Sequence, residues 1–206
     1  MTRTSLTLIA LLALAACGKP AEQQPTAPVA PATEATLPAD APAAAPAWTA
    51  SVDGVGPIKA TTAFSRDAIA ALFPDSEVKA AFLSEEGAQV PIVTVYGPSE
   101  LAIQVKQGAA EGRIGAILAQ GGPVVGPRGE TLMAPFSGLG FKAGDCVIGA
   151  DRFSGAALCR RPGAESLAYV IGARGELKGN PGDAPDAAEL AAKGFLREFL
   201  WQAPTP

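Results

Sequence analysis

The sequence contains no histidine. That absence removes the commonest general base, the Ser-His-Asp triad and every histidine-based metal site together. Positive charge is also scarce. With Arg3 lost in a cleaved leader, 15 basic residues face 20 acidic ones, a net of −5. A mildly acidic chain argues against nucleic acid or anionic lipid as the main partner. No apolar run is long enough to span a bilayer, which takes about 20 residues. Cysteine is nearly absent: Cys17, Cys146 and Cys159 are the whole set, with no Cys-x-x-Cys spacing between them.

What is present begins at the N-terminus. Arg3 supplies a charged leader start, Leu6 to Ala16 an apolar stretch, and small residues precede Cys17. This is a secretory signal over residues 1–16. Leu14-Ala15-Ala16-Cys17 resembles the bacterial lipobox, which implies a diacylglyceryl group on the Cys17 thiol and cleavage before it. Gly18, rather than aspartate, implies sorting to the outer membrane, with the folded part facing the periplasm. Two or more acyl chains anchor stably, at about 0.8 kcal/mol per buried methylene.

Residues 18–47 hold 11 alanines, 7 prolines and four charges, a composition that cannot bury a core. With Cys17 they read as a tether over 17–47, spanning roughly 30 Å as a flexible coil and roughly 90 Å fully extended. From Trp48 alternating apolar residues and glycine turns take over, and about 155 residues remain for one compact domain, 48–203, before a short tail at 204–206.

Within the domain, Ser65 is a helix N-cap with Phe64 placed to staple onto Ile69, and Pro74 is the stop. Strands are expected over 78–83, 90–96, 101–106 and 113–119, separated by turn residues at antiparallel-meander spacing. The second half predicts strands at 131–134, 156–160, 167–171 and 195–201. It also predicts a short helix after Phe136-Ser137, with Phe141 in the role of Ile69, and a helix from Asp186 to a glycine end at Gly194. The two Phe-Ser starts lie 72 residues apart, which hints at a duplicated strand–helix–strands unit. The expected class is α+β, a single domain whose antiparallel sheet carries short helices on one face.

Candidate chemistry is thin. Ser76 and Lys79 match Ser-x-x-Lys, but the segment reads as strand, where the two point to opposite faces, and the companion motifs are missing. Glu85-Glu86 reads as a solvated turn rather than a carboxylate pair. Asp183, Asp186 and Glu189 suit helix capping. Arg152, Arg160, Arg161 and Arg174 read as scattered surface charge. Gly54-Val55-Gly56-Pro57 lacks the third glycine of a dinucleotide fingerprint and reads as a tight turn. Trp48 and Trp201 read as packing residues. Cys146 and Cys159, an even pair in an oxidising compartment, favour a disulfide.

Gly54-Val55-Gly56-Pro57-Ile58, Thr62-Ala63-Phe64, Pro135-Phe136-Ser137, Gly144-Asp145-Cys146, Cys159 and an aromatic strand near Trp201 together resemble the YfeY-like lipoproteins. That is a family of sigma-E-regulated outer-membrane lipoproteins with a domain of unknown function. The resemblance implies envelope-stress-linked expression and the disulfide, and it carries over no catalytic residue. The expected function is a non-enzymatic interaction module in envelope maintenance, held to the membrane through Cys17. Its partner would be an envelope protein, lipid or wall component, with no cofactor, metal or nucleic acid. The alternative is a periplasmic inhibitor or small-ligand binder of the lysozyme-inhibitor kind, and an enzyme ranks behind both.

Overall fold

The computed structural model describes residues 48–85, 87–97 and 101–204, which lie within one compact unit, Ala43–Pro206. The leader, Cys17, the tether and Glu86 lie outside the described residues. In chain order the elements are β1 (Trp48–Ser51), β2 (Gly54–Val55), β3 (Ile58–Lys59), α1 (Arg66–Ala70), β4 (Glu77–Glu85), β5 (Ala88–Tyr96), β6 (Leu101–Gln107) and β7 (Ile114–Ala119). Then follow β8 (Val124–Val125), β9 (Cys146–Ile148), β10 (Ala157–Arg160), β11 (Leu167–Ala173), α2 (Ala187–Lys193) and β12 (Gly194–Gln202). No helix among the described residues is long and apolar enough to cross a membrane.

Eight strands form one antiparallel sheet in the order β4-β5-β6-β7-β12-β11-β10-β9. The sheet is two four-stranded meanders joined where β7 meets β12. That joint is two-fold in register: Ala119 with Phe199 and Ile117 with Trp201 flank a central Leu118–Leu200 pair. The Phe-Ser starts occupy equivalent places. Ala63 bridges to Arg113 just before β7, and Pro135 bridges to Phe195 at the start of β12. The two halves thus share a four-stranded meander and matching bridges, but not the full strand–helix–strands unit, since Phe136–Gly138 is a single 3-10 turn with no strand over 131–134 before it.

The two faces of the sheet differ. One packs Val95, Ile103, Ile117, Tyr169, Phe199 and Trp201 against Ile69 of α1, Leu190 of α2 and the second, small sheet β3-β2-β1-β8. Removing this much apolar surface from water is the main stabilising term. Edge-on aromatic contacts, Phe141 to Tyr169 at 4.8 Å and Tyr169 to Phe199 at 5.2 Å, add about 1 kcal/mol each. The Trp201 Nε1–H donates to Val52 O at 2.7 Å, which ties the first strand region to the last strand. The opposite face carries a smaller buried cluster of Leu118, Ala156, Ala168, Val170 and Leu200, with Ala116, Phe153 and Leu158 partly buried against it.

The caps follow the sequence. Ser65 Oγ accepts from Ala68 N at 3.1 Å, and Asp186 Oδ1 from Glu189 N at 2.7 Å. Cys146 and Cys159 are opposite residues of β9 and β10 and form a disulfide. Closing so short a loop contributes about 3 kcal/mol.

One expected strand needs correction. Residues 131–134 form no strand: Thr131 makes an isolated bridge to Val125 and the chain then turns, with Met133 at φ 66°. The helix after Phe136 is as short as Gly138 and Gly140 allow, a single 3-10 turn over Phe136–Gly138. Gly194 ends α2 as expected, in extended geometry, φ −71° and ψ 139°, and is already the first residue of β12.

Candidate functional site

Pro91 sets up the main concavity. The β5–β6 ladder begins at the Ile92–Lys106 pair, so Pro91 lies just beyond it and its missing N–H costs no ladder bond. The β4–β5 hairpin, however, stays paired out to Glu85–Ala88. Its tip therefore runs past the sheet as a two-stranded ribbon.

A tight turn faces it. Gly149 N donates to Ala156 O at 2.9 Å, and a 3-10 turn over Asp151–Phe153 follows, with Asp151 at φ 52°, a left-handed geometry that aspartate tolerates. Gly149 is required there, since a Cβ would sit 2.6 Å from the Cβ of Phe153. The turn folds back over the open face. Arg152 donates to Gln104 Oε1 at 2.9 Å and approaches Glu198 at 3.6 Å, while Phe153 packs on the Leu118–Leu200 cluster.

Between ribbon and turn lies a trough of about 630 Å³. Its floor is Val90, Ala116, Leu118 and Leu200; its rims are Leu83–Glu85 and Ala150–Phe153. Glu85 and Lys106 form an ion pair at one end. Glu198, 1% exposed, anchors the polar side behind Arg152: Gln120 Nε2 donates to it at 2.7 Å and Arg197 pairs with it at 2.8 Å. This is an apolar floor ringed by paired charges and an exposed Asp151, the kind of lining that binds an amphipathic ligand.

A second polar knot lies on the covered side. Glu130, whose side chain is 8% exposed, accepts from Arg161 Nη2 at 3.0 Å, Tyr169 Oη at 3.2 Å and the N–H of Arg128 at 2.9 Å. Arg161 also stacks 4.2 Å from the Phe141 ring centroid. Burial works to raise the Glu130 pKa, but the backbone N–H groups, Arg161 and Tyr169 outweigh it and hold the carboxyl below the ordinary range. Burial foremost pushes the Tyr169 phenol up. The carboxylate is fully engaged and the knot is packed, which fits a structural role, although Arg161 Nε is buried without a hydrogen-bond partner.

The candidates from the sequence are dispersed. Lys79 lies on β4 and pairs with Glu77 at 3.0 Å, with Ser76 outside the strand. Glu85 is not a solvated turn residue: it closes β4 and meets Lys106 at the trough. Asp186 caps α2, Asp183 accepts from Asn180, and Glu189 pairs with Lys193. Arg160 donates to Gln202 Oε1 at 2.7 Å. Arg152 and Arg161 are not scattered surface charge, for each is spent on a buried carboxylate. Trp201 is core, and Trp48 packs edge-on against Phe73 at 5.0 Å. Gly54 enters β2, where any Cβ would strike Ile58 O. Cys146 and Cys159 sit on the covered face, away from the trough. Among the described residues no three His, Cys, Asp or Glu gather to hold a metal.

The two meanders, the helices and the disulfide-closed edge can now be set beside known proteins. A family model described as "Protein of unknown function (DUF1131)" matches residues 44–202. The chain belongs to the DUF1131 family. The resemblance read over Asp53 to Trp201 therefore holds. The crystal structure of the uncharacterized protein YfeY from Escherichia coli is similar to this DUF1131 chain, with a TM-score of 0.61 at 24% identity. The match covers 75% of this chain and 99% of that one, and at that identity it establishes a shared fold. No curated protein matches this DUF1131 member.

Proposed function

We propose that this protein is a lipid-anchored outer-membrane lipoprotein whose periplasmic domain is a non-enzymatic binding module, with the trough as its binding surface. The observation that carries the binding role is a concavity of about 630 Å³ on the eight-stranded sheet, with Val90 and Ala116 half-buried on its floor above the buried Leu118 and Leu200. Apolar surface of this kind, rimmed by polar groups, marks interaction sites. Of the ionisable groups at its edge, Glu85, Lys106 and Arg152 are engaged with partners of their own, and Asp151 stands exposed on the rim. They orient a ligand rather than move protons. The lipobox at Cys17 and the Pro/Ala-rich segment after it support the anchoring. The ligand class is an envelope protein segment, lipid or wall component with an apolar edge.

The test is photo-crosslinking in living cells, with probes at Leu83, Ala88 and Ala116 in the trough and at Lys178 and Asn180 away from it. One dominant product from the trough positions alone is the expected result. Equal labelling from both sets, or none from the trough, would overturn the assignment.

A further inference from the structure

The eight-stranded sheet ends differently on its two sides. At the β9 edge the loop after β11 closes the strand: Ile148 N donates to Asp183 O at 2.8 Å and Gly182 N to Ile148 O at 2.9 Å. The other edge is β4, nine residues long and terminal in the strand order. Two bonds give the direction of its backbone groups. Thr94 of β5 donates through Oγ1 to Lys79 O, so that carbonyl faces β5, and Arg66 Nε donates to Val78 O from outside the sheet. By the alternation of an antiparallel ladder, the N–H and C=O of Ala80, Phe82 and Ser84 then point outward. Phe82 is 68% exposed. Natural edges are normally broken up by charge or proline; here Ala80-Ala81-Phe82-Leu83-Ser84 is uncharged, and Lys79 and Glu85 stand only at its two ends.

We infer that β4 is a homodimer edge, pairing antiparallel with β4 of a second copy about a two-fold axis at Phe82. In that register Phe82 faces Phe82 of the other copy, Ala81 faces Leu83, and Lys79 faces Glu85 on both sides of the axis. Lys79 and Glu85 lie on the same face of the sheet, so two intermolecular ion pairs close over the trough side. The outward groups of Ala80, Phe82 and Ser84 exchange about six backbone hydrogen bonds. A shift of two residues one way puts Glu77 against Glu85, and like charges directly opposite are destabilising. The opposite shift sets Phe82 against Ser84 and Lys79 against Gly87. The charge pattern thus selects one register, and a self-complementary patch is what a two-fold interface needs. Arg66 on Val78 O marks where the pairing stops. Leu83 and Glu85 also line the trough, so a homodimer crosslinked from Leu83 reports this contact, and a product with a different protein reports the trough's ligand.

Sedimentation of the full chain in mild detergent tests this, beside two variants. Phe82→Lys alters an exposed side chain, so its melting temperature should stay close to the parent's, while the dimer dissociation constant rises about 30-fold or more. Ala81→Cys/Leu83→Cys, oxidised, should give a covalent dimer through the 81–83 pair, and neither single variant should. A monomeric parent at tens of micromolar would overturn the inference. So would a dimer that Phe82→Lys leaves intact, or efficient crosslinking by Ala81→Cys alone, which would mean a different register.

Discussion

Glu130 draws in three partners, Arg161, Tyr169 and the N–H of Arg128, and its charge is what they recognise. Because its folded pKa lies below the ordinary value, the folded state releases the proton more readily than the unfolded chain. Its stabilisation is therefore complete above the ordinary carboxylate range and fades as pH falls through the folded pKa. Glu130→Gln should cost about 3 kcal/mol at neutral pH, since it leaves the Arg161 guanidinium buried without its counter-charge. The difference from the parent should narrow in acid. Urea denaturation of both proteins across pH checks this, and a gap that stays constant with pH would show that packing, not charge, is the cause. Arg161 and Arg152 illustrate why such residues escape a sequence reading. Their acidic partners, Glu130 and Glu198, are 31 and 46 positions away in the chain. Only folding brings each pair together.

At the scale of elements, the turn at 149–154 is the most exposed to a single change. Gly149→Ala would force a Cβ into Phe153, so the turn must open and withdraw Arg152 and Phe153 from the trough. Overpacking of this kind costs about 2 kcal/mol. Hydrogen exchange at residues 150–154 should quicken severalfold while β11 and β12 stay protected, and uniform behaviour across the domain would contradict it. Legibility varied by element for plain reasons. The strands β4 to β7 were readable because β6 alternates, β5 is rich in β-branched residues, and glycine-bearing turns separate all four. The three-residue β9 and the two-residue β2, β3 and β8 are too short to carry a period, and exist because a neighbour pairs with them. Residues 131–134 looked like a strand from their apolar content, yet Thr131 finds only an isolated bridge. The trough left one signal in the sequence: Ile117-Leu118-Ala119 and Phe199-Leu200-Trp201 are apolar at consecutive positions, so both faces of the central strands are apolar. Which part stays open depends on Pro91 and the turn at Gly149, and local pattern does not carry that.

For the whole molecule, the proposed anchor and the proposed binding face lie on different parts of the chain, so mutation tests each by itself. Cys17→Ala should leave the melting temperature unchanged and release the chain from membranes. Continued sedimentation with outer membrane after a salt wash would contradict the lipid anchor. The binding face is tested most directly by filling it. Ala116→Trp places a large ring in the open trough, where it meets space rather than core. In cells carrying the full chain, a probe at Leu83 should then lose its crosslinked product about tenfold, equivalent to about 1.4 kcal/mol of binding, with the melting temperature held within a few degrees. Undiminished product from Leu83 with the ring in place would mean that the trough is not where this protein meets its partner.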